Sequence, residues 1–233
     1  MGTESNSVLY NTVYPHIKGK LAFDIGSNTG KITKNLIDAG AKVIAIEPLS
    51  RLTGGGNYKG AHAIKNVCIS DKIGKVKYNI ATNRDGKFHA KNTCFNGWKK
   101  LWPTFNWEEV EIESTTLDVL IKEFGKPVYI KIDVEGYEHK VLGGLSHKID
   151  FISFEFTSGY WESFYESIKA VEKLGFRKIS PFMVKKTRIN GKKARIHGLV
   201  GEFYNVRDVI NFFRSLPASK HGDIKQGDIL IES

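Results

Sequence analysis

The chain has 233 residues, 41% of them hydrophobic and 26% charged, a composition that supports a folded core and excludes global disorder. No apolar run approaches the length of a membrane span, and the N-terminal stretch lacks a hydrophobic secretory region, which argues against a membrane protein. The net charge is +10, and the two cysteines lack a metal-type spacing, so we expect a reduced, cytoplasmic protein without a membrane partner.

Strand and helix patterns alternate along the chain. Short apolar, β-branched runs predict strands at 21–25, 42–46, 64–70, 128–132, 151–156, 176–179 and 228–232. Helical patterns are predicted at 31–39, 116–124, 139–145 and 160–174. This order indicates a doubly wound, mostly parallel α/β sheet in one domain, residues 1–233, with its core at about 20–156. Ligands of such sheets bind beyond the carboxyl ends of the strands.

The first predicted strand ends in the loop D24-I-G-S-N-T-G30. It is not a P-loop, since three residues rather than four separate Gly26 from Gly30 and isoleucine follows Lys31. It is not a dinucleotide fingerprint either, because position 28 is asparagine. Glycines let the backbone approach a ligand, and the following helix offers free N–H groups. Asp24 is placed to accept from an ammonium or to orient the turn, so the loop suits a small zwitterionic ligand.

Polar groups also end the next two predicted strands. Glu47 follows the second strand, 17 residues after Gly30, where a carboxylate can bind both hydroxyls of a ribose. Ser70 and Asp71 end the third strand, where either side chain can bond an adenine amino group. A turn or cap fits Asp71 equally well. Together with the glycine loop, these residues predict a nucleoside site.

The fourth predicted strand leads into the acids Asp133, Glu135 and Glu138, followed directly by His139. We expect Asp133 and Glu135 to position an acceptor and take its proton, with His139 as the third candidate. Other interpretations stay open. With Glu155 from the next strand, Asp133 and Glu135 offer oxygen ligands for Mg²⁺ or a similar hard cation. Glu135 and Glu138 also suit a helix cap, and His139 suits packing.

Positive charge concentrates in two segments, predicted as substrate-side insertions at about 72–112 and 181–205. Asn190-Gly191 predicts a hairpin turn within the second. The first runs into the aromatic sequence C94-F-N-G-W-K-K-L-W-P-T-F-N-W107. Either segment is a solvated face or a surface for an anionic acceptor, nucleic acid included. The hairpin cations are Lys185, Lys186, Arg188, Lys192, Lys193 and Arg195.

These motifs resemble the FkbM-type methyltransferases, a family of class I S-adenosylmethionine-dependent enzymes. The resemblance rests on the glycine loop, on E47-P48, on C68-I-S-D71 and above all on I130-K-I-D-V-E-G-Y-E138. It implies a seven-stranded sheet and S-adenosylmethionine as the cofactor. The residues implied are Asp24, Gly26, Ser27, Asn28 and Gly30 for the methionine end, Glu47 with Pro48 for the ribose, and Ser70 with Asp71 for the adenine.

The resemblance further implies methyl transfer to a hydroxyl of a sugar or secondary-metabolite acceptor. One alternative is an RNA ribose or cap methyltransferase, with phosphates on the basic hairpin and bases stacked on Trp98, Trp102 or Trp107. Another is a non-catalytic nucleoside-binding module. A divalent cation is possible in each enzyme reading, with the three acids named above as its ligands.

Overall fold

A computed structural model describes residues 7–83, 91–157, 161–189, 192–215 and 226–233. Every helix in these ranges is too short or too polar to cross a membrane. The helices are α1 (Ser7–Ile17), α2 (Lys31–Asp38), α3 (Trp98–Leu101), α4 (Leu117–Phe124), α5 (Glu138–Gly143), α6 (Trp161–Lys173) and α7 (Val206–Ser215). The strands are β1 (Leu21–Ile25), β2 (Lys42–Ile46), β3 (Ala63–Lys65), β4 (Cys68–Ile69), β5 (Gly74–Thr82), β6 (Asn106–Thr115), β7 (Tyr129–Ile132), β8 (Phe151–Thr157), β9 (Lys178–Ile189), β10 (Lys192–Leu199) and β11 (Gln226–Glu232).

Eight strands form the main sheet in the order β10-β9-β11-β8-β7-β1-β2-β3. The five strands from β8 to β3 are parallel, whereas β11 runs antiparallel to both of its neighbours. The predicted doubly wound, mostly parallel sheet is therefore confirmed. Seven of the strands correspond to predicted ones, and the eighth, β10, is the second strand of the basic hairpin.

Helices cover both faces of this sheet. On one face, α1 and α2 bury Val13, Ile17 and Leu36 against the strands. On the other, α4 to α7 contribute a larger apolar core that includes Leu120, Val141, Ile168, Val209 and Phe213. Because both faces are covered, the central strands are continuous apolar runs, and β7 is buried along its whole length.

The strand order brings the predicted site residues to one edge of the sheet. Ile25 at the end of β1 lies opposite Ile132 of β7 on one side and Ile46 of β2 on the other. The glycine loop therefore starts between the acids that follow β7 and the Glu47 carboxylate that follows β2. This arrangement follows from parallel pairing, since carboxyl ends of parallel strands share an edge.

The strand predicted at 64–70 is wrong as a single element. Its first half is β3, beside β2 in the main sheet, and its second half is β4, which pairs with β6 in a separate sheet of order β4-β6-β5. Asn66 lies between the two halves, and its side-chain amide donates to the Glu47 carbonyl oxygen at 2.8 Å. One apolar run therefore contains strands of two different sheets. Its hydrophobic periodicity does not show where the first strand ends and the second begins.

Both segments predicted as insertions contain antiparallel strand pairs. β5 and β6 pair from Gly74 opposite Ser114 to Thr82 opposite Asn106, and they form most of the small sheet. β9 and β10 pair along their length, which confirms the hairpin, although its Asn190-Gly191 turn lies outside the described residues. The helices α1, α3 and α7 and the strands β5 and β6 were not predicted.

Gly26 allows the ends of β1 and β7 to pack closely. Its φ is +77°, and a Cβ atom there would lie 1.9 Å from the Asp133 carbonyl oxygen. No side chain fits that space, so the turn that follows β7 rests directly on the glycine loop.

We predict that Gly26→Ala lowers the free energy of unfolding by about 2–5 kcal/mol, because a left-handed alanine is strained and the clash displaces backbone. Gly19→Ala is the matched control. Its φ is +73°, but nothing lies within 4 Å of the added Cβ, so only the backbone strain of about 1–2 kcal/mol applies. Urea denaturation measures both variants, and equal losses would contradict the close approach.

Candidate functional site

A cavity of about 670 Å³, a volume that includes space open to solvent, lies where the carboxyl ends of β1, β2 and β7 face the small sheet. Its lining contains many of the predicted site residues, and the small sheet supplies others. The predicted lining residues are Gly26, Asn28, Glu47, Pro48, Asp133 and Glu135. The lining residues that the sequence did not suggest include Tyr78, Asn92, Cys94 and Tyr137.

Glu47 is held at the cavity wall by two backbone groups. The Asn28 N–H donates to Oε2 at 2.9 Å, and the Leu49 N–H donates to Oε1 at 3.0 Å. Burial raises the pKa of Glu47, and these two N–H bonds oppose that shift. Each carboxylate oxygen accepts one bond here and can accept another, so the group can still bind a pair of hydroxyls.

Tyr58 also binds the glycine loop through its hydroxyl group. Its hydroxyl donates to the Asn28 carbonyl oxygen and lies 2.9 Å from the Ser27 hydroxyl oxygen. A Cβ atom on Gly30 would lie 2.7 Å from the Tyr58 ring, so only glycine fits beneath it. No local pattern predicted this contact, because it joins residues 30 positions apart. Between β2 and β3 the chain forms 3-10 turns at Ser50–Leu52 and Gly56–Tyr58.

Asp24 lies behind the cavity wall and is fully buried. The Thr33 hydroxyl, from the first turn of α2, donates to Oδ2 at 2.6 Å. Oδ1 has no hydrogen-bond partner among the described residues. Burial raises the pKa of Asp24, and the Lys131 ammonium opposes the shift. The Thr33 contact favours the second predicted role of Asp24, orienting the turn, and ammonium binding stays a prediction.

Ser70 and Asp71 lie outside the cavity lining. The Ser70 hydroxyl oxygen is 3.2 Å from both Asp71 Oδ1 and the Tyr137 hydroxyl, and Asp71 pairs with Lys140 at 2.8 Å. That hydrogen bond from Lys140 lowers the pKa of Asp71. The wall at this strand end is formed instead by Cys68 and by the ring of Tyr137. An adenine contact from Ser70 or Asp71 stays a prediction.

Asp133 lines the cavity as an ionised carboxylate. The Lys131 ammonium, two residues earlier on β7, donates to Oδ2 at 2.7 Å. Burial disfavours the charged form of Asp133, but the ion pair with Lys131 opposes that effect, and the pKa of Asp133 stays below its ordinary value. The pair keeps a negative acceptor at the cavity wall beside the glycine loop.

Glu135 is the second acid of the cavity and has an unusual backbone. Its φ is +56°, a left-handed conformation that costs a non-glycine residue free energy and is often found at functional sites. The Lys91 ammonium lies 2.7 Å from both carboxylate oxygens. Burial raises the pKa of Glu135 to about 8, although Lys91 opposes the shift. Lys91 is a partner that the sequence did not suggest.

Glu155 and Glu138 complete the acidic cluster in different ways. Oxygens of Asp133, Glu135 and Glu155 lie within 4.8 Å of one another, so these acids are brought together as the cation hypothesis requires. Burial, reinforced by those two neighbours, raises the pKa of Glu155 well above its ordinary value. Glu138 instead accepts from the backbone N–H of Val134 at 3.2 Å and of Gly136 at 3.1 Å, so it stabilises the turn before α5. Among the described residues, helix α5 has no side-chain cap hydrogen bond, and the capping alternative for Glu138 is wrong in that respect.

His139 lies beside the cavity but does not line it. Its Nδ1 is 3.0 Å from the Ser163 hydroxyl oxygen, and its ring packs edge-on against Phe95 and Tyr137. Burial lowers the pKa of His139, which favours its neutral form. These contacts fit the packing alternative, and its catalytic role stays a prediction.

A comparison with known families decides the wider assignment. Residues 24–178, more than half of the chain, match the family described as the methyltransferase FkbM domain. The chain belongs to the FkbM methyltransferase family. It is therefore an enzyme of the class I, S-adenosylmethionine-dependent methyltransferases, as the resemblance implied, rather than a non-catalytic binding module. A search of curated proteins found no match.

Solved structures resemble the FkbM methyltransferase only at low sequence identity. One is precorrin-6Y C5,15-methyltransferase from Geobacter metallireducens, with 9% identity, TM-score 0.48, and 97% of this chain and 86% of that chain covered. Another is a SAM-dependent methyltransferase from Archaeoglobus fulgidus, with 12% identity, TM-score 0.47, and coverage of 97% and 91%. A third, from Agrobacterium tumefaciens, has 10% identity, TM-score 0.49, and coverage of 96% and 59%. Likeness at this level carries no conclusion about substrate.

We predict that Glu47→Ala weakens S-adenosylmethionine binding by the FkbM methyltransferase at least tenfold, because hydrogen bonds to a charged group contribute about 1.5–3 kcal/mol. Isothermal titration measures the affinity. Glu123→Ala is the control, since that exposed acid lies on α4, outside the cavity lining, and pairs with Lys65 of β3. Unchanged affinity in a folded Glu47→Ala variant would remove Glu47 from the site.

Proposed function

We propose that this enzyme transfers the methyl group of S-adenosylmethionine to a hydroxyl oxygen of a sugar or secondary-metabolite acceptor. The observation that carries the proposal is the placement of Asp133 and Glu135 in the same cavity as the glycine loop and Glu47. A hydroxyl acceptor must be aligned and must lose a proton, and carboxylates perform both tasks.

The residues present fit the cofactor. Glu47 keeps acceptor capacity for the two ribose hydroxyls after its two backbone bonds are counted. Gly26 and Asn28 place loop backbone at the cavity, next to the N-terminus of α2, where a carboxylate of the ligand is favoured. We assign the methionine end to this loop, the ribose to Glu47 with Pro48, and the adenine to the wall formed by Cys68, Ile69 and Tyr137.

Asp133 and Glu135 have different roles toward the acceptor. When bound, S-adenosylmethionine supplies a methyl group already activated by its sulfonium, so the chain's main task is alignment. Asp133, kept ionised by Lys131, accepts a hydrogen bond from the acceptor hydroxyl and fixes its direction. Glu135, with a pKa of about 8, is matched to take the hydroxyl proton near neutral pH.

RNA is the second candidate acceptor, favoured by the strand register of the basic hairpin. Arg188 lies opposite Lys193 and Lys186 opposite Arg195, so four basic positions share one face. A row of basic positions on one face of a hairpin suits a polyanion such as RNA. β9 also continues beyond Met183, the last residue paired with β11, which carries the hairpin past the carboxyl edge where the cavity opens.

The acceptor class is tested with methyl-labelled S-adenosylmethionine and two acceptor pools, saccharides with sugar phosphates and short RNAs. We expect label in the saccharide pool, with rates that change little with salt. Label in RNA, with binding that weakens steeply as salt rises, would replace the preferred acceptor by the second candidate. Label in neither pool would contradict both acceptor classes.

We predict that Asp133→Asn lowers turnover at least a hundredfold while cofactor affinity changes less than threefold, since general-base and positioning groups contribute about 10²–10⁴-fold. Steady-state kinetics and cofactor titration separate the two effects. Asp118→Asn is the control, because that carboxylate lies at the start of α4 and pairs with His147 at 2.9 Å. Equal losses in turnover and affinity would make Asp133 a cofactor ligand rather than an acceptor group.

A further inference from the structure

Lys91 reaches the acidic cluster from the segment that follows β5. Its ammonium lies 2.7 Å from both oxygens of Glu135, and its side chain is only 15% exposed. Although burial disfavours its charge, Glu135 and then Glu155 raise the pKa of Lys91. Asp133 acts on Lys91 in the same direction. The one ammonium therefore interacts with all three acids whose oxygens lie within 4.8 Å of one another.

The chain around Lys91 is fastened to the acidic loop. The Thr93 hydroxyl lies 3.0 Å from the Val134 carbonyl oxygen and 2.9 Å from the Glu135 carbonyl oxygen, and it accepts from the Phe95 N–H at 2.9 Å. Thr93 also forms two backbone bonds with Asn79 of β5. These bonds join the backbone next to Lys91 to the left-handed Glu135 turn. The small sheet therefore holds the segment that carries the ammonium.

A divalent cation and this ammonium compete for the same oxygens. Mg²⁺ binds oxygen ligands at about 2.0–2.1 Å, so it would have to approach Glu135 oxygens that already accept from the Lys91 ammonium. A second positive centre beside a buried ammonium is also repelled strongly. Removing the ammonium, in contrast, leaves the buried carboxyl group of Glu135 beside the partly buried ones of Asp133 and Glu155 without that counter-ion, and such a group has the ligand type that hard cations prefer.

We propose that the Lys91 ammonium takes the place of a divalent cation in the cluster of Asp133, Glu135 and Glu155, so that Lys91 positions Glu135 and methyl transfer needs no metal. The inference rests on the proposed function for the role of Glu135. Lys91 is a positioning residue, since the proposed role acts through its ion pair with Glu135 and not through contact with the reacting atoms.

The test uses Mn²⁺ as the probe, with binding followed by electron paramagnetic resonance and by the melting temperature. Wild type should bind Mn²⁺ no better than the control Lys169→Ala, in which an exposed lysine paired with Glu166 is removed. Lys91→Ala should bind Mn²⁺ at least about tenfold more tightly than wild type, because the competing charge is gone. The gain should disappear in Lys91→Ala with Glu155→Gln.

Tight Mn²⁺ binding by wild type that is lost in Glu135→Gln would overturn the proposal, since the cluster would then be a metal site despite Lys91. No gain in Lys91→Ala would overturn it too, because the ammonium would not occupy a cation position. Lys91→Arg keeps the charge and should bind Mn²⁺ as weakly as wild type. Mn²⁺ binding requires no acceptor, so these outcomes are independent of whether the acceptor class is correct.

Turnover provides the second readout. Wild-type methyl transfer should be unchanged by EDTA, and Lys91→Arg should retain more turnover than Lys91→Ala at equal melting temperature. EDTA inhibition of wild type that Mn²⁺ or Mg²⁺ restores would overturn the proposal. If no acceptor in the panel is methylated, the proposed acceptor class fails while the Mn²⁺ measurements still decide the role of Lys91.

Discussion

Carboxyl oxygens of Asp133, Glu135 and Glu155 lie within 4.8 Å of one another, with Glu135 buried and the other two residues partly buried. Buried charges of one sign are costly unless opposite charges accompany them. The chain meets this requirement with Lys131 from β7 itself and Lys91 from the small-sheet segment. The small sheet is therefore part of the site and not an appendage, because without it one of the two counter-ions is missing.

The features that the sequence predicted correctly depend on local patterns. Apolar runs followed by Asp24, Glu47 or Asp133 identify the ends of buried strands, and parallel strands present those ends at one edge. The glycine spacing of the first loop likewise reports a close approach, which the contact between Gly26 and the Asp133 carbonyl now explains. A pattern confined to a few neighbouring residues is sufficient for such features, so the main sheet and the part of the cavity at its carboxyl edge were predictable.

The contacts that the sequence did not predict join distant segments. Lys91 and Glu135 are 44 residues apart, and Tyr58 is 30 residues from Asn28, so no periodicity links them. Distant partners also explain why some predicted residues lie off the cavity. Asp71 forms an ion pair with Lys140 of α5, and the type of residue at position 71 does not predict such a contact. The number of sheets was missed for the same reason, since one short apolar run was divided between them.

The segment that carries Lys91 into the acidic cluster also supplies Asn92 and Cys94 to the cavity wall. One stretch of chain therefore borders both the space assigned to the cofactor and the acids assigned to the acceptor. Anything that shifts this stretch on one side changes the free energy of binding on the other, and linkage makes the effect reciprocal. Under the proposed assignments, a displacement of this stretch by one ligand would couple the two sites, and the affinity for the cofactor would then depend on whether the acceptor is bound.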